Sequence, residues 1–272
     1  MSRGAAIRLR PRSLAAVVIA SAIGLMAFLW PLVLTPAPGA TGGGTAPLLF
    51  ALLLPVVLGV VLVEMSDGGM DVKAIALLGV LAAVGAVLRP MGAGAAGLET
   101  VFFLLVLAGR VFGAGFGFAL GAITLFASAL LTAGIGPWLP YQMLGAAWVG
   151  LGAGLLPPAK GRLEVAMLAA YGAVAGLLYG VALNFSFWPF STQGEAALTF
   201  VPGAPVTENL TRFLTFTLTT SVGWDLGRAL TNAVLILITG RSVLGALRRA
   251  SRRAAFEAPV RFVDTARAAE HR

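Results

Sequence analysis

The sequence predicts an all-α integral membrane protein of about eight transmembrane helices, and three observations support that prediction. Of the 272 residues, 58% are hydrophobic and 11% are charged, with a mean hydropathy of +0.93, whereas a typical soluble domain is about 25% charged. Apolar runs close to the roughly 20 residues that cross a hydrocarbon core recur along the chain. The Lys and Arg residues gather at its two ends, with 4 of 19 before the first run and 8 from position 241 onward. One membrane domain therefore accounts for nearly the whole chain.

The apolar runs divide the chain into four parts. Residues 1–13 form a basic N-terminus, 14–65 hold two extra transmembrane helices, 73–240 form a six-helix core, and 241–272 form an Arg-rich tail. The predicted helices occupy residues 14–34, 47–64, 73–89, 98–110, 113–132, 140–157, 165–184 and 213–239. The fourth run is short, so it is tilted, re-entrant or fused with the helix that follows it.

The basic residues between the helices predict the orientation, because cytoplasmic loops of membrane proteins are enriched in Lys and Arg. With the N-terminus inside, the cytoplasmic junctions contain Lys73, Arg110, Lys160 and Arg162. The first and third outer loops contain none, so both termini are predicted to be cytoplasmic. A cleavable signal peptide within residues 1–40 is the alternative, but its apolar run exceeds the roughly 7–15 residues of a signal core. The many Arg, Ala and Gly residues indicate a GC-rich bacterial gene and hence a bacterial inner membrane.

Several classes of protein are excluded by residues that the sequence lacks. It has no cysteine, and its one histidine is His271, which excludes thiolate metal sites and cysteine nucleophiles. It has no GxxxxGK[ST] loop for ATP and no series of buried carboxylates for a proton relay. The net charge of +8 follows the topology rather than a nucleic-acid surface. We therefore expect a non-catalytic protein without a metal or cofactor, whose energy comes from other proteins.

Small residues recur at helical spacing in three places, and they allow helices to approach closely in a membrane. Two are glycine ladders, Gly109, Gly113, Gly117 and Gly121 in one segment and Gly172, Gly176 and Gly180 in another. The third is the stripe Gly79, Ala82, Ala83 and Ala86. Packing within the chain and docking on a partner subunit both explain such patterns.

The segment after the third helix contains Gly92, Gly94 and Gly97 in a GxGxxG pattern. A dinucleotide-binding loop needs a preceding strand, and here the pattern follows a membrane helix, so that interpretation fails. We predict a flexible outer loop that acts as a lid, with Arg89 at its start.

Polar and aromatic residues define the candidate binding site. Asp225 and Arg228 lie within an apolar run, where ionisable residues mark function or pair with each other, and Trp224 and Asn232 lie beside them. Aromatic and amide side chains also cluster on the predicted outer side, a composition typical of a pocket for a small, flat organic ligand. These residues are Trp138, Tyr141, Gln142, Asn184, Phe185 and Trp188.

Two stretches carry a resemblance to a known family. They are GRVFGAGFGFALGAITLFASALLTAGIGPWLPYQMLGAAWVGLGAGLLP, from Gly109 to Pro157, and GWDLGRALTNAVLILITGRSVLGALRR, from Gly223 to Arg249. Residues 73–249 resemble the S components of energy-coupling factor (ECF) importers. In that family, six helices capture a vitamin from outside and topple within a complex of a membrane coupling subunit and two ABC-type ATPases.

The resemblance implies roles for several of these segments. It makes the stripe after Lys73 the contact with the coupling subunit, the loop from Arg89 to Glu99 the lid, and the outer helix ends the pocket. The sequence is similar to actinobacterial members predicted to import cobalamin or a related compound. The first two helices exceed the six-helix core and set this chain apart from the family pattern.

Other functions remain open at this point. A self-sufficient secondary transporter or channel is the main alternative, followed by a structural or assembly membrane protein and by an intramembrane enzyme. The resemblance and the absence of energy-converting motifs favour a vitamin-capturing S component.

Overall fold

The described residues of this computed structural model are almost entirely helical. It describes residue 7 and residues 10–33, 45–67, 70–92, 97–191 and 197–254, of which 85% are helical and none forms a strand. The helices are α1 Pro11–Val33, α2 Thr45–Asp67, α3 Val72–Gly92, α4 Phe102–Phe112, α5 Ala114–Leu131, α6 Leu139–Leu155, α7 Gly161–Phe187, α8 Val206–Thr220 and α9 Val222–Ala254. A short 3-10 helix, Trp188–Phe190, follows α7. The prediction of an all-α protein is confirmed for this part of the chain.

Six of the described helices are long and apolar enough to cross a membrane. They are Pro11–Val33, Leu48–Ser66, Val72–Gly92, Ala114–Leu131, Gly161–Phe190 and Val222–Ala254. The chain is thus a multi-pass helical membrane protein, and the count of eight spans stays a prediction. The two shorter core helices, α4 with 11 residues and α6 with 17, pack beside these spans.

The first glycine ladder brings α4, α5 and α6 into backbone contact. Gly113 adopts a φ of 108° and separates α4 from α5, so the chain reverses there instead of continuing as one fused helix. A Cβ atom on Gly117 would lie 3.1 Å from the Cα of Gly109, and it would also collide with the carbonyl group of Gly150 in α6. These glycines therefore serve packing within the chain.

The second glycine ladder packs α7 against α9. Side chains of α9 fill the notch that each glycine leaves, with Ile236 facing Gly172 and Asn232 facing Gly176. Gly180 adjoins both Asp225 and Arg228. A side chain at any of these glycines would occupy space that α9 already uses, so this ladder too is intramolecular.

The predicted last helix, 213–239, has different bounds in the structure. The helical segment begins at Val206 and is interrupted at Ser221, which separates α8 from α9. Four threonine hydroxyls in α8 bond to carbonyl groups four residues earlier, a local interaction that competes with regular helix bonding. Beyond Gly240, α9 continues without a break to Ala254, so the first part of the predicted tail is helical.

Contacts between helix ends define two ends of the bundle. We call the end where α1 begins the proximal end, and the end where α1 finishes the distal end. At the proximal end, the hydroxyl of Ser13 donates to Glu64, and the ammonium group of Lys73 donates to the carbonyl of Ala254 at 3.0 Å. At the distal end, the ring of Trp30 lies 6.1 Å from that of Phe200. The predicted cytoplasmic location of the termini stays a prediction.

Candidate functional site

A group of charged and polar side chains lies inside the distal end of the core. They come from α3, the segment before α4, α6, α7 and α9, and we call them the distal polar cluster. Its members are Arg89, Glu99, Gln142, Tyr179, Asp225 and Arg228.

Arg228 lies at the centre of this cluster. Its Nε donates to Glu99 at 2.5 Å, and its Nη1 donates to Asp225 at 2.7 Å and to the Gly176 carbonyl at 3.3 Å. The guanidinium carbon lies 5.3 Å from the centre of the Tyr179 ring, a distance at which the cation is attracted to the ring face. The predicted pair of Asp225 and Arg228 is present. The pairing of Arg228 with Glu99 was not predicted, because the two residues are 129 positions apart.

Arg89 forms the other half of the cluster. Its Nη2 donates to the Gln142 side-chain oxygen at 3.1 Å, and its Nη1 donates to the Ser128 hydroxyl at 3.4 Å. These bonds fasten the end of α3 to α5 and α6. Tyr179 lies between Arg228 and α6, since a Cβ on Gly145 of α6 would lie 2.8 Å from its ring.

The predicted lid is only partly described. Gly92 is the last residue of α3, and Gly94 lies outside the described residues. Gly97 has a φ of 77°, and a Cβ there would lie 2.8 Å from the carbonyl carbon of Trp224. This glycine lets the segment run against the backbone of α9 and brings Glu99 to Arg228. The described part of the segment therefore contacts the distal polar cluster, and its role as a lid stays a prediction.

An aromatic cleft of about 240 Å³ opens at the same end of the bundle. Its lining residues are Leu49, Pro137, Trp138, Tyr141, Ser186, Phe187, Phe190 and Ser191. Tyr141 is only 3% exposed, and its hydroxyl has no hydrogen-bond partner among the described residues. Buried polar groups usually have partners, so this buried hydroxyl, on a residue that lines the cleft, is an exception. Two of the predicted binding residues, Trp138 and Tyr141, thus share one cleft.

Three other predicted binding residues make contacts within the protein. The amide of Asn184 bonds to a threonine hydroxyl of α8 at 3.3 Å and accepts a bond from the serine between α8 and α9 at 3.1 Å. Phe185 stacks on Phe213 with ring centres 3.6 Å apart. Trp188 is fully buried, and its indole N–H donates to the carbonyl of Leu198 at 2.7 Å. These contacts hold the end of α7 and the 3-10 helix against α8 and the segment before it.

Asn232 is the least satisfied polar residue in the described part of the chain. Its side chain is fully buried between α7 and α9, and neither amide atom has a hydrogen-bond partner there. It lies one helical turn from Arg228 on the same face of α9. Trp224, which precedes Asp225, is half exposed at the side of α9.

The predicted coupling stripe on α3 is divided between two faces. Ala82 and Ala86 are 2% and 0% exposed, because they pack inside the bundle. Gly79 and Ala83 are exposed, and a Cβ on Gly79 would meet no atom of the described chain within 4 Å. Only the second pair lies on a face that a partner subunit can reach in this structure.

A second ion cluster, which was not predicted from the sequence, lies at the proximal end. Glu164 of α7 accepts from Arg110 of α4 at 2.9 Å and from Arg248 of α9 at 2.6 Å. From Glu164 to Gly180, which adjoins Arg228, α7 spans 16 residues, or about 24 Å. The two ion clusters are therefore separated along α7 by a distance slightly shorter than the roughly 30 Å thickness of a hydrocarbon core.

Comparisons with known proteins found no matching family model, curated protein or solved structure. Among the described residues, no group of three or more His, Cys, Asp or Glu side chains is placed to hold a metal ion. The fold and the two ion clusters together define a multi-pass helical membrane protein with buried charged groups near each end.

Proposed function

We propose that this protein is the substrate-capturing S component of an ECF-type importer in a bacterial plasma membrane. In this proposal it binds a vitamin-like small molecule at the distal, outward-facing end. A membrane coupling subunit and two ABC-type ATPases then provide the energy for release into the cell. The family resemblance of residues 73–249 motivates the proposal, and the geometry of the distal end supports it.

The observation that carries the proposal is an aromatic cleft lined by Trp138 and Tyr141 at the distal end, and the buried Tyr141 hydroxyl has no partner among the described residues. Flat organic ligands are held by aromatic walls with a few convergent polar groups. The cleft offers Trp138 and Tyr141 as walls, and the next residue in the chain, Gln142, accepts a hydrogen bond from Arg89 of the polar cluster. The described part of the segment around Glu99 contacts that cluster and is the proposed lid.

The cleft volume bears on the substrate. About 240 Å³ is slightly below the roughly 300–1,000 Å³ of pockets that hold drug-sized ligands. A corrin such as cobalamin needs far more room, so the cleft favours a smaller vitamin or precursor over the cobalamin-like compound suggested by the resemblance.

The exposed half of the α3 stripe is the proposed contact with the coupling subunit. Gly79 and Ala83 are spaced i,i+4, the arrangement that allows two membrane helices to approach closely. A glycine inside a helix costs about 1 kcal/mol relative to alanine, and no contact within the described chain explains Gly79. Close approach of a partner helix explains it.

Co-purification tests this proposal. Replacing Gly79 or Ala83 with Trp should eliminate retention of the coupling subunit and ATPases in mild detergent, because the bulky ring separates the helices. The matched control is Val174→Trp on the exposed face of α7, which should leave retention unchanged. Retention that is equal in all variants contradicts the assigned face, and a wild-type protein that retains no partner contradicts the proposed function.

Secondary transport is the second candidate, and one observation favours it. The two ion clusters lie at opposite ends, and each joins α9 to α7 and to α4 or the segment just before it. Such an arrangement suits two gates that open alternately. Substrate uptake into liposomes by the purified chain alone would establish this function and reject the S-component proposal.

A further inference from the structure

One edge of the Arg228 guanidinium group, formed by Nε and Nη2, makes only one hydrogen bond to the described residues. Glu99 contacts Nε through one carboxylate oxygen at 2.5 Å, and Nη2 makes no hydrogen bond to the described residues. A carboxylate binds this edge best with both oxygens, through two parallel bonds. The contact with Glu99 is therefore not the strongest that Arg228 can form.

The two carboxylates on Arg228 differ in how firmly they are placed. Asp225 lies three residues earlier on the same helix, and its side chain is 6% exposed. Glu99 lies in the segment between α3 and α4, outside any helix, and its side chain is 25% exposed. Glu99 is thus the carboxylate that can leave while Asp225 stays.

The exchange of Glu99 for another group is restricted by charge. A buried arginine whose partner is removed keeps an uncompensated charge, which is strongly unfavourable. If another carboxylate replaces Glu99, the charge of Arg228 stays compensated. A neutral or cationic group in the same place would leave that charge uncompensated.

Asn232 provides a second, independent indication of a ligand. Its fully buried amide has no partner in the described chain, and its nitrogen lies 3.3 Å from the Cβ position of Gly176. The carbonyl of the same glycine accepts a bond from Arg228. The unsatisfied amide and the incompletely used guanidinium therefore meet at the same glycine of α7, with the Tyr179 ring alongside Arg228.

We propose that Arg228 is the receptor for the carboxylate of a small monoanionic ligand, which takes the place of Glu99 and frees the segment before α4. Asn232 hydrogen-bonds to a second polar group of that ligand. This inference rests on the proposed function, because it assigns the class of substrate to the distal site. It makes the substrate a carboxylic acid rather than a neutral vitamin.

The absence of cysteine allows a direct test, since one introduced thiol is the only one in the chain. Val101, at the base of the segment, is 1% exposed, so a Val101→Cys protein should react slowly with a maleimide reagent. Sodium acetate is the probe, and acetamide is the neutral control. Sodium chloride keeps the ionic strength near 0.1 M, because screening alone weakens exposed ion pairs. Leu98→Cys, at a position already exposed, checks that acetate does not change maleimide chemistry.

Acetate should accelerate labelling of the Val101→Cys protein about tenfold and saturably, whereas acetamide and chloride should not. Adding Glu99→Gln should give fast labelling without acetate, because Arg228 loses its loop partner. Adding Arg228→Lys should weaken the acetate response, because lysine lacks the planar fork. Each variant is compared only if it elutes as a single species in gel filtration.

Two results would overturn the inference. One is a labelling rate that acetate does not change although Glu99→Gln increases it. The ion pair between Glu99 and Arg228 would then be purely structural. The other is an equal response to acetate in the Arg228→Lys protein. Neither affects the co-purification experiment, so failure of the carboxylate site and failure of the importer proposal are distinguishable.

Discussion

Replacing Gly117 with Ala should destabilise the protein by about 3 kcal/mol, because α5 and α6 touch there through their backbones. The added Cβ would lie 2.5 Å from the carbonyl carbon of Gly150 and closer still to its oxygen. Ordinary carbon contacts are about 3.5–4.0 Å, so the helices must separate by roughly 1 Å. Overpacking of this kind costs about 1–3 kcal/mol, and a backbone obstacle that cannot change rotamer places Gly117 at the upper end.

The assay is thermal unfolding in detergent, followed by tryptophan fluorescence. By the scaling for chains of about 150–250 residues, 3 kcal/mol corresponds to a decrease in Tm of roughly 6–12 °C. The matched control is Gly79→Ala, where the Cβ meets no atom within 4 Å and helix propensity predicts a gain of up to about 1 kcal/mol. A Gly117→Ala protein that unfolds at the wild-type temperature would refute the close α5–α6 contact.

Three further predictions follow from buried polar groups. Glu164→Gln should lower the free energy of unfolding by about 3–5 kcal/mol, because it leaves two arginines unpaired, whereas Glu208→Gln in an exposed i,i+4 pair should cost at most about 0.5 kcal/mol. Tyr141→Phe should not lower Tm, because its hydroxyl has no partner in the described chain, and it should weaken ligand binding. Tyr171→Phe, which removes a 2.7 Å bond to an α6 carbonyl, should cost about 1 kcal/mol. Asn232→Leu should raise Tm, because it removes an unsatisfied amide. Thermal melts test all five variants, and a lower Tm for Asn232→Leu would indicate a partner for the amide.

The helices could be predicted from the sequence because hydropathy acts locally. Each predicted apolar run coincides with helix, and both glycine ladders lie at helix contacts. The helix start at Val206 and the interruption at Ser221 were not predicted. The threonine-rich segment before Ser221 is helical but amphipathic, so its hydropathy does not indicate a separate helix.

The α3 stripe shows a limit of periodicity. Ala82 and Ala83 are neighbours in sequence, and successive residues on a helix point about 100° apart. Small residues on both faces left the inward and outward faces indistinguishable, and only the packing of Ala82 and Ala86 against the bundle separates them.

The candidate site was predictable in its residue types but not in its pairings. Asp225 and Arg228 are close in sequence, so their ion pair follows from helix geometry. The bonds from Glu99 to Arg228 and from Glu164 to Arg248 join residues 129 and 84 positions apart, which only the tertiary fold brings together. For the same reason, the hydrogen bonds of Asn184 to α8 and the α8–α9 junction could not be foreseen.

In the proposed function, this membrane protein captures a small molecule for partner proteins that provide the energy. Native mass spectrometry of the full chain, purified in mild detergent from membranes of its own host, is the decisive measurement. We expect a complex with one membrane coupling subunit and two ATPases, together with a bound small molecule that the Arg228→Lys protein loses. A chain that carries no partner and no ligand, yet imports substrate into liposomes by itself, would contradict it.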